Sequence, residues 1–365
     1  MLSAAHLRSN LLVKLGEMTG RTHALPLVLF APTARCNSRC ISCDWWRADG
    51  AADLSLAEIE RVAEALPHFG TRLVVFTGGE PLVRPDVMAV ADVFRTRGLV
   101  VHLLTSGLAL ERFAEDIAAR FGDVTISLDA HTADLYREIR GVNGLEAVTA
   151  GVRKLRALAP ALPIRARSTI HRRNFRHLPQ LIARAMEMGV DQISFLAADV
   201  TSGAFNRGAP QPSIVARDVE RDTDRRSDAP AASLLLSAQE ADELATIVEA
   251  VIESPEHAAA FAARRIAPGP EGLRRLARYY RAQLGLGPFP PVDCNAPWVS
   301  VVIEADGSVR PCFFHAPVGN LRHRPLPELL AEAMPAFRDR LDVGTDQTCT
   351  KCVCTLRVGL RSKLW

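Results

Sequence analysis

The chain has 365 residues, and a typical domain size of about 150 residues predicts roughly two domains. Apolar residues make up 48% and charged residues 23%, an ordinary globular composition that excludes wholesale disorder, a collagen-like repeat and a coiled coil. The 44 basic and 41 acidic side chains leave a formal net charge of +3, so bulk electrostatics give no indication of a nucleic-acid partner.

The N-terminal segment shows neither a secretory signal nor a membrane span. It lacks a charged region, an apolar core and a cleavage site in series. Residues 24–31 are apolar but far too few to cross a bilayer. We therefore expect a cytoplasmic protein without a membrane partner, in which thiols stay reduced.

Residues 27–200 alternate short apolar strands with amphipathic stretches. A capping box formed by Ser55 and Glu58 predicts that one of the intervening helices begins there. The alternation predicts parallel strands joined by right-handed crossovers, in either a doubly wound sheet or a curved, partial barrel. Both arrangements bind ligands at the carboxyl ends of the strands. The predicted strands are Leu27–Ala31, Leu73–Thr77, Val100–Thr105, Val124–Leu128, Ile164–Thr169 and Gln192–Ala197.

The segment 201–232 is rich in Pro, Ser, Asp and Arg and has no apolar periodicity, which predicts a lid or a disordered loop. Five of its arginines are candidates to contact an anionic substrate, although a solvated surface loop is the favoured interpretation. They are Arg207, Arg217, Arg221, Arg225 and Arg226.

Helices are predicted after this segment, followed by a β-hairpin. A second capping box, Ser237 with Glu240, opens a helix that runs to about Glu253, and further helices are predicted over Glu256–Ile266 and Leu273–Leu284. The β-like segment Trp298–Glu304, then Asp306-Gly307 and a short apolar run, predict the hairpin.

The eight cysteines fall into two groups that are separated by 250 residues without a cysteine. Paired thiols at short spacing suit either zinc or an iron–sulfur cluster, and spacing alone does not choose between them for the C-terminal group. The first group is Cys36, Cys40 and Cys43, and the second is Cys294, Cys312, Cys349, Cys352 and Cys354.

The first group follows the first predicted strand directly. Three cysteines at this spacing can hold three irons of a four-iron cluster and leave the fourth iron without a protein ligand. An open coordination position distinguishes a reactive metal centre from a closed structural one. A zinc knuckle completed by a distant histidine is the alternative.

Together with Gly78-Gly79-Glu80-Pro81 at the end of the second predicted strand, this motif resembles that of the radical S-adenosylmethionine superfamily. The resemblance implies an α/β fold, a partial (β/α)6 TIM-like barrel, with a [4Fe–4S] cluster at Cys36/Cys40/Cys43. It also implies that residues 78–81 bind the amino group of S-adenosylmethionine. Glycines allow close backbone approach, and carbonyls with a carboxylate can hold an ammonium group.

Other strand ends supply polar residues that resemble the superfamily's positions near the ribose and the methionine carboxylate. Ser106, Ser127 and Asp129 are the candidates there, and Arg167 is the candidate partner of the carboxylate. A strand-end cap or a surface ion pair is the alternative for each. Ser42 departs from the aromatic residue that the superfamily commonly has before the third cysteine, which leaves the local adenine contact open.

The C-terminal cysteines resemble the twitch form of the SPASM extension, in which four cysteines bind one auxiliary [4Fe–4S] cluster. Cys294-x17-Cys312 brackets the predicted hairpin, and Cys349-x2-Cys352 supplies the second pair. Zinc is the alternative. Cys354 is left over, as another ligand, an inert neighbour or a hydrogen-atom donor.

The expected organisation is an N-terminal segment, a barrel, a lid loop with a helical linker, and a small auxiliary-cluster domain of β-hairpin and helix. The boundaries are 1–26, 27–200, 201–290 and 291–365. The N-terminal segment is too short for a peptide-binding winged-helix domain, which counts against a peptide substrate.

The resemblance implies reductive cleavage of S-adenosylmethionine to a 5′-deoxyadenosyl radical, which takes a hydrogen atom from a substrate. The substrate is expected to be a natural-product intermediate such as a sugar or aminocyclitol, or a peptide, and an electron donor such as flavodoxin or ferredoxin is implied. Net oxidation, by dehydrogenation or cross-linking, is favoured because an auxiliary cluster offers an exit for an electron. An epimerase with Cys354 as hydrogen donor is the first alternative, and a non-enzymatic zinc-binding protein is the second.

Overall fold

A computed structural model of the chain describes residues 3–205 and 231–363. The strands are β1 (Leu27–Phe30), β2 (Leu73–Phe76), β3 (Val100–Thr105), β4 (Asp123–Ser127), β5 (Ile164–Ile170), β6 (Gln192–Ala197), β7 (Ile266–Ala267), β8 (Ser300–Ile303), β9 (Ser308–Arg310) and β10 (Gly319–Asn320). They form one sheet in the order β10-β9-β8-β1-β2-β3-β4-β5-β6-β7.

The described residues also form fourteen α-helices. They are α1 (Ala4–Thr19), α2 (Leu56–Ala65), α3 (Val87–Arg95), α4 (Ala114–Arg120), α5 (Ala133–Arg140), α6 (Leu145–Leu158), α7 (Leu178–Glu187), α8 (Ala238–Glu253), α9 (Pro255–Ala262), α10 (Pro270–Gln283), α11 (Ala296–Val299), α12 (Leu326–Glu328), α13 (Met334–Arg338) and α14 (Gln347–Thr350). A π-helical turn, Leu329–Ala333, joins α12 to α13. Within the described residues, no helix combines the length and the hydropathy that a bilayer crossing requires.

The six predicted strands of the barrel are confirmed, and their order decides between the two folds that the pattern allowed. β1 to β6 lie side by side in chain order, and every neighbouring pair is parallel. A doubly wound sheet requires the strand order to reverse at a switch point. The unbroken order is that of a partial (β/α)6 barrel.

The hairpin is also confirmed, but it continues the barrel sheet. β8 pairs with β1 in parallel, with Leu27 opposite Ser300 and Phe30 opposite Ile303. β9 then returns antiparallel to β8. The last fifth of the chain is thereby hydrogen-bonded to the first strand.

Two predicted elements were wrong at their ends. The helix predicted over Glu256–Ile266 stops at Ala262, because Arg264 adopts a left-handed backbone conformation (φ 56°) and Ile266 enters β7 beside Ile193. The strand predicted from Trp298 begins only at Ser300, because Trp298 lies in α11, where Pro297 suits a first helical turn. Helix α1 was not predicted. Residues 206–230 of the predicted lid, including the five arginines named above, lie outside the described residues.

Alternation along the strands separates a packed face from an open one. On β5, Ile164, Ala166 and Ile170 are buried under the helices, whereas Arg165 and Arg167 are more accessible on the inner face of the barrel. This is the period of two expected for a strand with unlike faces.

The amino end of the barrel is closed by α1 and the C-terminal tail. Val13 of α1 and Val358 of the tail pack with Leu27 and Leu73, the first residues of β1 and β2. Asn295 holds the tail in place. Its side chain is 1% exposed, donates to the carbonyl of Val358 (2.9 Å) and accepts from its amide (2.9 Å).

We predict that Asn295→Ala loosens the tail. The substitution leaves the buried amide and carbonyl of Val358 without side-chain partners, which costs about 1–3 kcal/mol in the free energy of unfolding. The rate of amide hydrogen exchange of residues 356–358 should rise as well, because the tail opens more often. Asn320→Ala, which removes hydrogen bonds in the exposed hairpin turn, is the control and should cost less. An Asn295→Ala tail that stays as protected as the unsubstituted one would contradict the prediction.

Candidate functional site

The first cysteine group lies in the loop that follows β1, as predicted. Cys40 is buried (8% exposed), while Cys36 and Cys43 are half-buried. A hydrogen bond from the Cys43 thiol lowers the pKa of Cys40 and raises that of Cys43, and the charge of Arg140 lowers the Cys40 pKa further. Burial raises the pKa of Cys36 to about 11. Cys36 and Cys43 therefore keep their protons unless a cation such as iron replaces them, whereas Cys40 is the thiol of this group that ionises most readily.

Gly78 and Gly79 bring the end of β2 against this loop. A Cβ at Gly79 would lie 2.1 Å from the carbonyl oxygen of Arg35, and one at Gly78 would lie 2.5 Å from the Cβ of Ala31. The amide of Glu80 donates to the carbonyl of Arg35 at 2.8 Å. The glycines are thus required for the loop and the strand end to touch, whatever they do for a cofactor.

The Glu80 carboxylate joins the ends of β2 and β3. It is 1% exposed and accepts hydrogen bonds from Thr105 Oγ1 (2.7 Å), the Ser106 amide (2.6 Å) and the Leu82 amide (3.1 Å). The Ser106 hydroxyl in turn lies 3.4 Å from Asn37 Oδ1 in the cysteine loop. Two predicted site residues, Glu80 and Ser106, are therefore in direct contact, and Pro81 begins the short helical turn behind them.

Asp129 is buried behind the end of β4 in an ion pair. One carboxylate oxygen lies 2.9 Å from Arg140 Nη1, and the other accepts from the Thr169 amide at 2.8 Å. Asp129 and Arg140 are 3% and 9% exposed. The structure places Asp129 in the wall of the site, with both oxygens engaged by protein groups.

Ser127 and Arg167 lie side by side on the inner face, where β4 and β5 pair. Arg167 is exposed, and its Nε lies 3.5 Å from Ser194 Oγ on β6. Its neighbour Arg165 forms an ion pair with Asp123. Of the predicted cofactor residues on β4 and β5, Ser127 and Arg167 are the two that reach the open interior.

The C-terminal cysteines form one group of half-buried thiols. Burial, together with the neighbouring thiols, raises the pKa of Cys349 and Cys352, and burial raises that of Cys312 to about 11. The Cys352 thiol donates to the carbonyl of Cys354 at 2.9 Å.

Cys354 lies beside Cys352, and its backbone amide donates to the Cys352 sulfur at 3.4 Å. Burial raises the pKa of its thiol, and the charges of Arg167 and of Arg275 on α10 offset part of that rise. The thiol of Cys354 is therefore close enough to Arg167 on β5 and to Arg275 on α10 to be influenced by their charges.

Strand register places the two cysteine groups toward opposite ends of the barrel. Cys36 follows the carboxyl end of β1, whereas Cys294 precedes β8, whose first residue pairs with the first residue of β1. Cys312 follows β9, which runs back toward the same amino end. The polar inner faces of β4 to β6 lie between the groups.

Sequence reasoning missed a trio of residues at the C-terminal cysteines and a single arginine at the first cysteine group. His315 Nε2 lies 3.3 Å from Cys349 Sγ, and the ligand atoms of His315, Asp346 and Cys349 all lie within 4.8 Å of one another. The sequence shows no spacing motif for this trio. Arg140 was also missed, because it belongs to no motif and only the fold brings it beneath the cysteine loop.

The donor sets fit iron–sulfur clusters. Both groups consist of thiols, the soft ligands that iron–sulfur clusters require. Beside the first group, Ser38 Oγ and Arg140 Nε are buried and have no hydrogen-bond partner among the described residues. The sulfur atoms of a cluster are acceptors, and they would satisfy these buried donors.

Two family models match the chain. The radical SAM superfamily model covers residues 30–164, and the SPASM iron–sulfur cluster-binding model covers residues 294–353. The chain therefore contains a radical SAM domain. A SPASM domain follows it, and together the two domains imply S-adenosylmethionine, a [4Fe–4S] cluster and an auxiliary cluster as cofactors.

The chain spans about half the length of the curated relatives it matches. A PqqA peptide cyclase of Rhodopseudomonas palustris is 32% identical over 200 residues, which are 53% of this chain and 52% of that protein. An AdoMet-dependent heme synthase of Methanosarcina barkeri is 29% identical over 177 residues, 47% and 50% of the two chains. A GTP 3′,8-cyclase of Marinobacter nauticus is 33% identical over 189 residues, 50% and 56%.

Solved structures share the fold at low identity. Streptococcus suis SuiB bound to S-adenosylmethionine matches with a TM-score of 0.61 and 13% identity, over 94% of this chain and 76% of that one. The anSMEcpe protein with bound AdoMet matches with a TM-score of 0.59 and 16% identity, over 90% and 86%. These matches confirm the predicted fold class.

We predict that Gly79→Ala prevents incorporation of the first cluster. The added Cβ collides with backbone, which cannot move aside without displacing the cysteine loop. Iron analysis after anaerobic reconstitution should fall from about eight to about four atoms per chain. Gly359→Ala is the control, since a Cβ there meets nothing within 4 Å. Full iron content in Gly79→Ala would contradict the prediction.

Proposed function

We propose that the protein is a radical SAM enzyme that oxidises a carbon centre of a small natural-product intermediate or a peptide, by dehydrogenation or cross-linking. The observation that supports this most directly is the position of the two cysteine groups. They lie toward opposite ends of the barrel, with the polar inner faces of β4 to β6 between them.

We assign the first cluster to Cys36, Cys40 and Cys43 and the auxiliary cluster to Cys294, Cys312, Cys349 and Cys352. Cys36, Cys40 and Cys43 would hold a cluster that supplies the electron for cleavage of S-adenosylmethionine, and the 5′-deoxyadenosyl radical so formed would take a hydrogen atom from the substrate. The protein orients the reactants and excludes water and competing hydrogen donors.

The contacts divide the proposed cofactor residues into two kinds. Ser127 and Arg167 are open to the interior, and the guanidinium is a suitable partner for the methionine carboxylate. Backbone carbonyls of Gly78 and Gly79 remain the proposed partners of the ammonium group. Glu80 and Asp129 support the site without touching the cofactor, because protein donors already occupy their carboxylates.

Ser106 and Pro81 complete the proposed cofactor wall. Ser106 is held by Glu80 and reaches toward the cysteine loop at Asn37. Its position at the end of β3 suits a contact to the ribose. Pro81 directs the chain away from the site after the two glycines.

Net oxidation removes a hydrogen atom, an electron and a proton from the substrate. We assign the exit of the electron to the C-terminal cysteine group, because strand register places it across the polar inner faces of β4 to β6 from the first group. A small electron donor such as flavodoxin or ferredoxin would supply the electron for cofactor cleavage.

The substrate class remains broad within this proposal. A peptide is supported by the similarity to a PqqA peptide cyclase, and one of the similar folds, SuiB, has been solved bound to the precursor peptide SuiA. A small molecule is supported by the similarity to a heme synthase and a GTP 3′,8-cyclase.

Cysteine variants test the two assignments separately. Cys36→Ala/Cys40→Ala/Cys43→Ala should keep about four irons per chain and form no 5′-deoxyadenosine under reduction. Cys294→Ala/Cys312→Ala should also keep about four irons but still cleave S-adenosylmethionine. The readouts are iron and sulfide content and the 5′-deoxyadenosine yield. A reconstituted protein that binds zinc instead and leaves S-adenosylmethionine intact would overturn the proposal in favour of a zinc-binding protein.

An epimerase is a second candidate function, favoured by the thiol of Cys354, which is left over from the cluster ligands and is close enough to Arg167 on β5 to be influenced by its charge. A thiol there could return a hydrogen atom to the substrate radical, inverting the carbon without net oxidation. In that case Cys354→Ala should form 5′-deoxyadenosine but release no product, and the unsubstituted enzyme should place solvent deuterium at the inverted carbon. A product two hydrogens lighter than the substrate would instead identify the oxidase.

A further inference from the structure

We propose that Arg140, held in place by Asp129, sets the reduction potential of the cluster at Cys36, Cys40 and Cys43. Arg140 is then a positioning residue that acts on the cluster by its charge and does not touch the substrate. This inference rests on the proposed function, since it requires that the three cysteines bind a four-iron cluster.

Backbone contacts fix Arg140 against the cysteine loop. It is the last residue of α5, and its carbonyl accepts from the amide of Arg39 at 2.8 Å. The preceding carbonyl, that of Ile139, accepts from the amide of Ile41 at 3.0 Å. These two bonds flank Cys40 in the chain, so the helix end and the cysteine keep a set separation.

Gly141 makes this approach feasible. Its backbone is left-handed (φ 68°), and a Cβ there would lie 2.5 Å from the carbonyl oxygen of Arg39. Only glycine adopts this conformation without strain and leaves room for the loop. The end of α5 is therefore shaped to meet the cysteine loop.

The guanidinium of Arg140 is buried, and its hydrogen bonds are only partly satisfied. Arg140 Nη1 lies 2.9 Å from Asp129 Oδ2, whereas Arg140 Nε is buried and has no hydrogen-bond partner among the described residues. A buried guanidinium N–H that is left unpaired costs free energy unless an acceptor is provided. In the proposed function, the sulfur atoms of a cluster bound at Cys40 would provide this acceptor.

Electrostatics set the direction of the effect. The C-terminal carbonyls of α5 carry partial negative charge, which opposes an anionic cluster, and Arg140 in the last turn offsets it. Reduction adds one more negative charge in a poorly screened site. A nearby cation therefore stabilises the reduced cluster and raises its potential, while the Asp129 carboxylate has the opposite sign of effect.

The test is an EPR-monitored redox titration of the anaerobic holoenzyme without S-adenosylmethionine. Arg140→Gln should lower the reduction potential of the first cluster. We expect the ratio of reduced to oxidised cluster at a fixed potential to fall about tenfold, which corresponds to about 59 mV for one electron. Asp129→Asn should shift the potential upward. Arg140→Lys keeps the charge and should restore a potential close to that of the unsubstituted protein.

Two controls separate this effect from general damage. Arg137→Gln removes the same charge from an exposed position of α5, where Arg137 pairs with Asp134, and should leave the potential unchanged. The auxiliary cluster of the same molecule is an internal reference and should not shift. The first cluster is identified as the signal that Cys36→Ala/Cys40→Ala/Cys43→Ala lacks.

The outcomes distinguish the inference from the proposed function. If iron is bound at the first site and Arg140→Gln shifts its potential no more than Arg137→Gln does, the inference is wrong and the proposed function stands. If the unsubstituted protein binds no iron there, the proposed function itself fails. Should Arg140→Gln lose the cluster, Asp129→Asn decides: an upward shift supports the inference, and an unchanged potential overturns it.

Discussion

The parallel pairing of β8 with β1 is the contact on which the arrangement of the site depends. Four residue pairs, from Leu27–Ser300 to Phe30–Ile303, hydrogen-bond the start of the barrel to the C-terminal cysteine segment. Because β1 also leads directly into the first cysteine loop, one pair of strands fixes the spacing between both cysteine groups. A rigid sheet holds two sites at a set separation more reliably than a flexible linker would.

A second layer of contacts ties the ends of neighbouring strands to the cysteine loop. Glu80 connects β2 to β3, and Asp129 connects β4 to β5 and, through Arg140, to the loop itself. These carboxylates are buried and hydrogen-bonded, as buried charges in proteins generally must be. Ser127 and Arg167, the proposed ligand contacts, lie on the inner face of the barrel.

Much of this was predictable from the sequence because it is periodic or spaced. The six barrel strands show as apolar runs, the capping boxes at Ser55 and Ser237 mark two helix starts, and both appear in the structure. Contacts between distant residues leave no such local signal. The sequence around Asp129 does not indicate that it pairs with Arg140, and the sequence around Ser300 does not indicate that its strand partner is Leu27. The helix over Glu256–Ile266 was overextended because pairing with β6, a tertiary contact, takes Ile266 into a strand.

The continuity of the sheet also has a consequence for biogenesis. During synthesis the outer edge of β1 stays without its β8 partner for about 270 residues, until the segment that begins at Ser300 has emerged. An apolar strand edge in that state is a template for pairing with other chains. The same edge leads into the loop that carries Cys36, Cys40 and Cys43, so this loop stays next to an unpaired strand until the C-terminal segment docks.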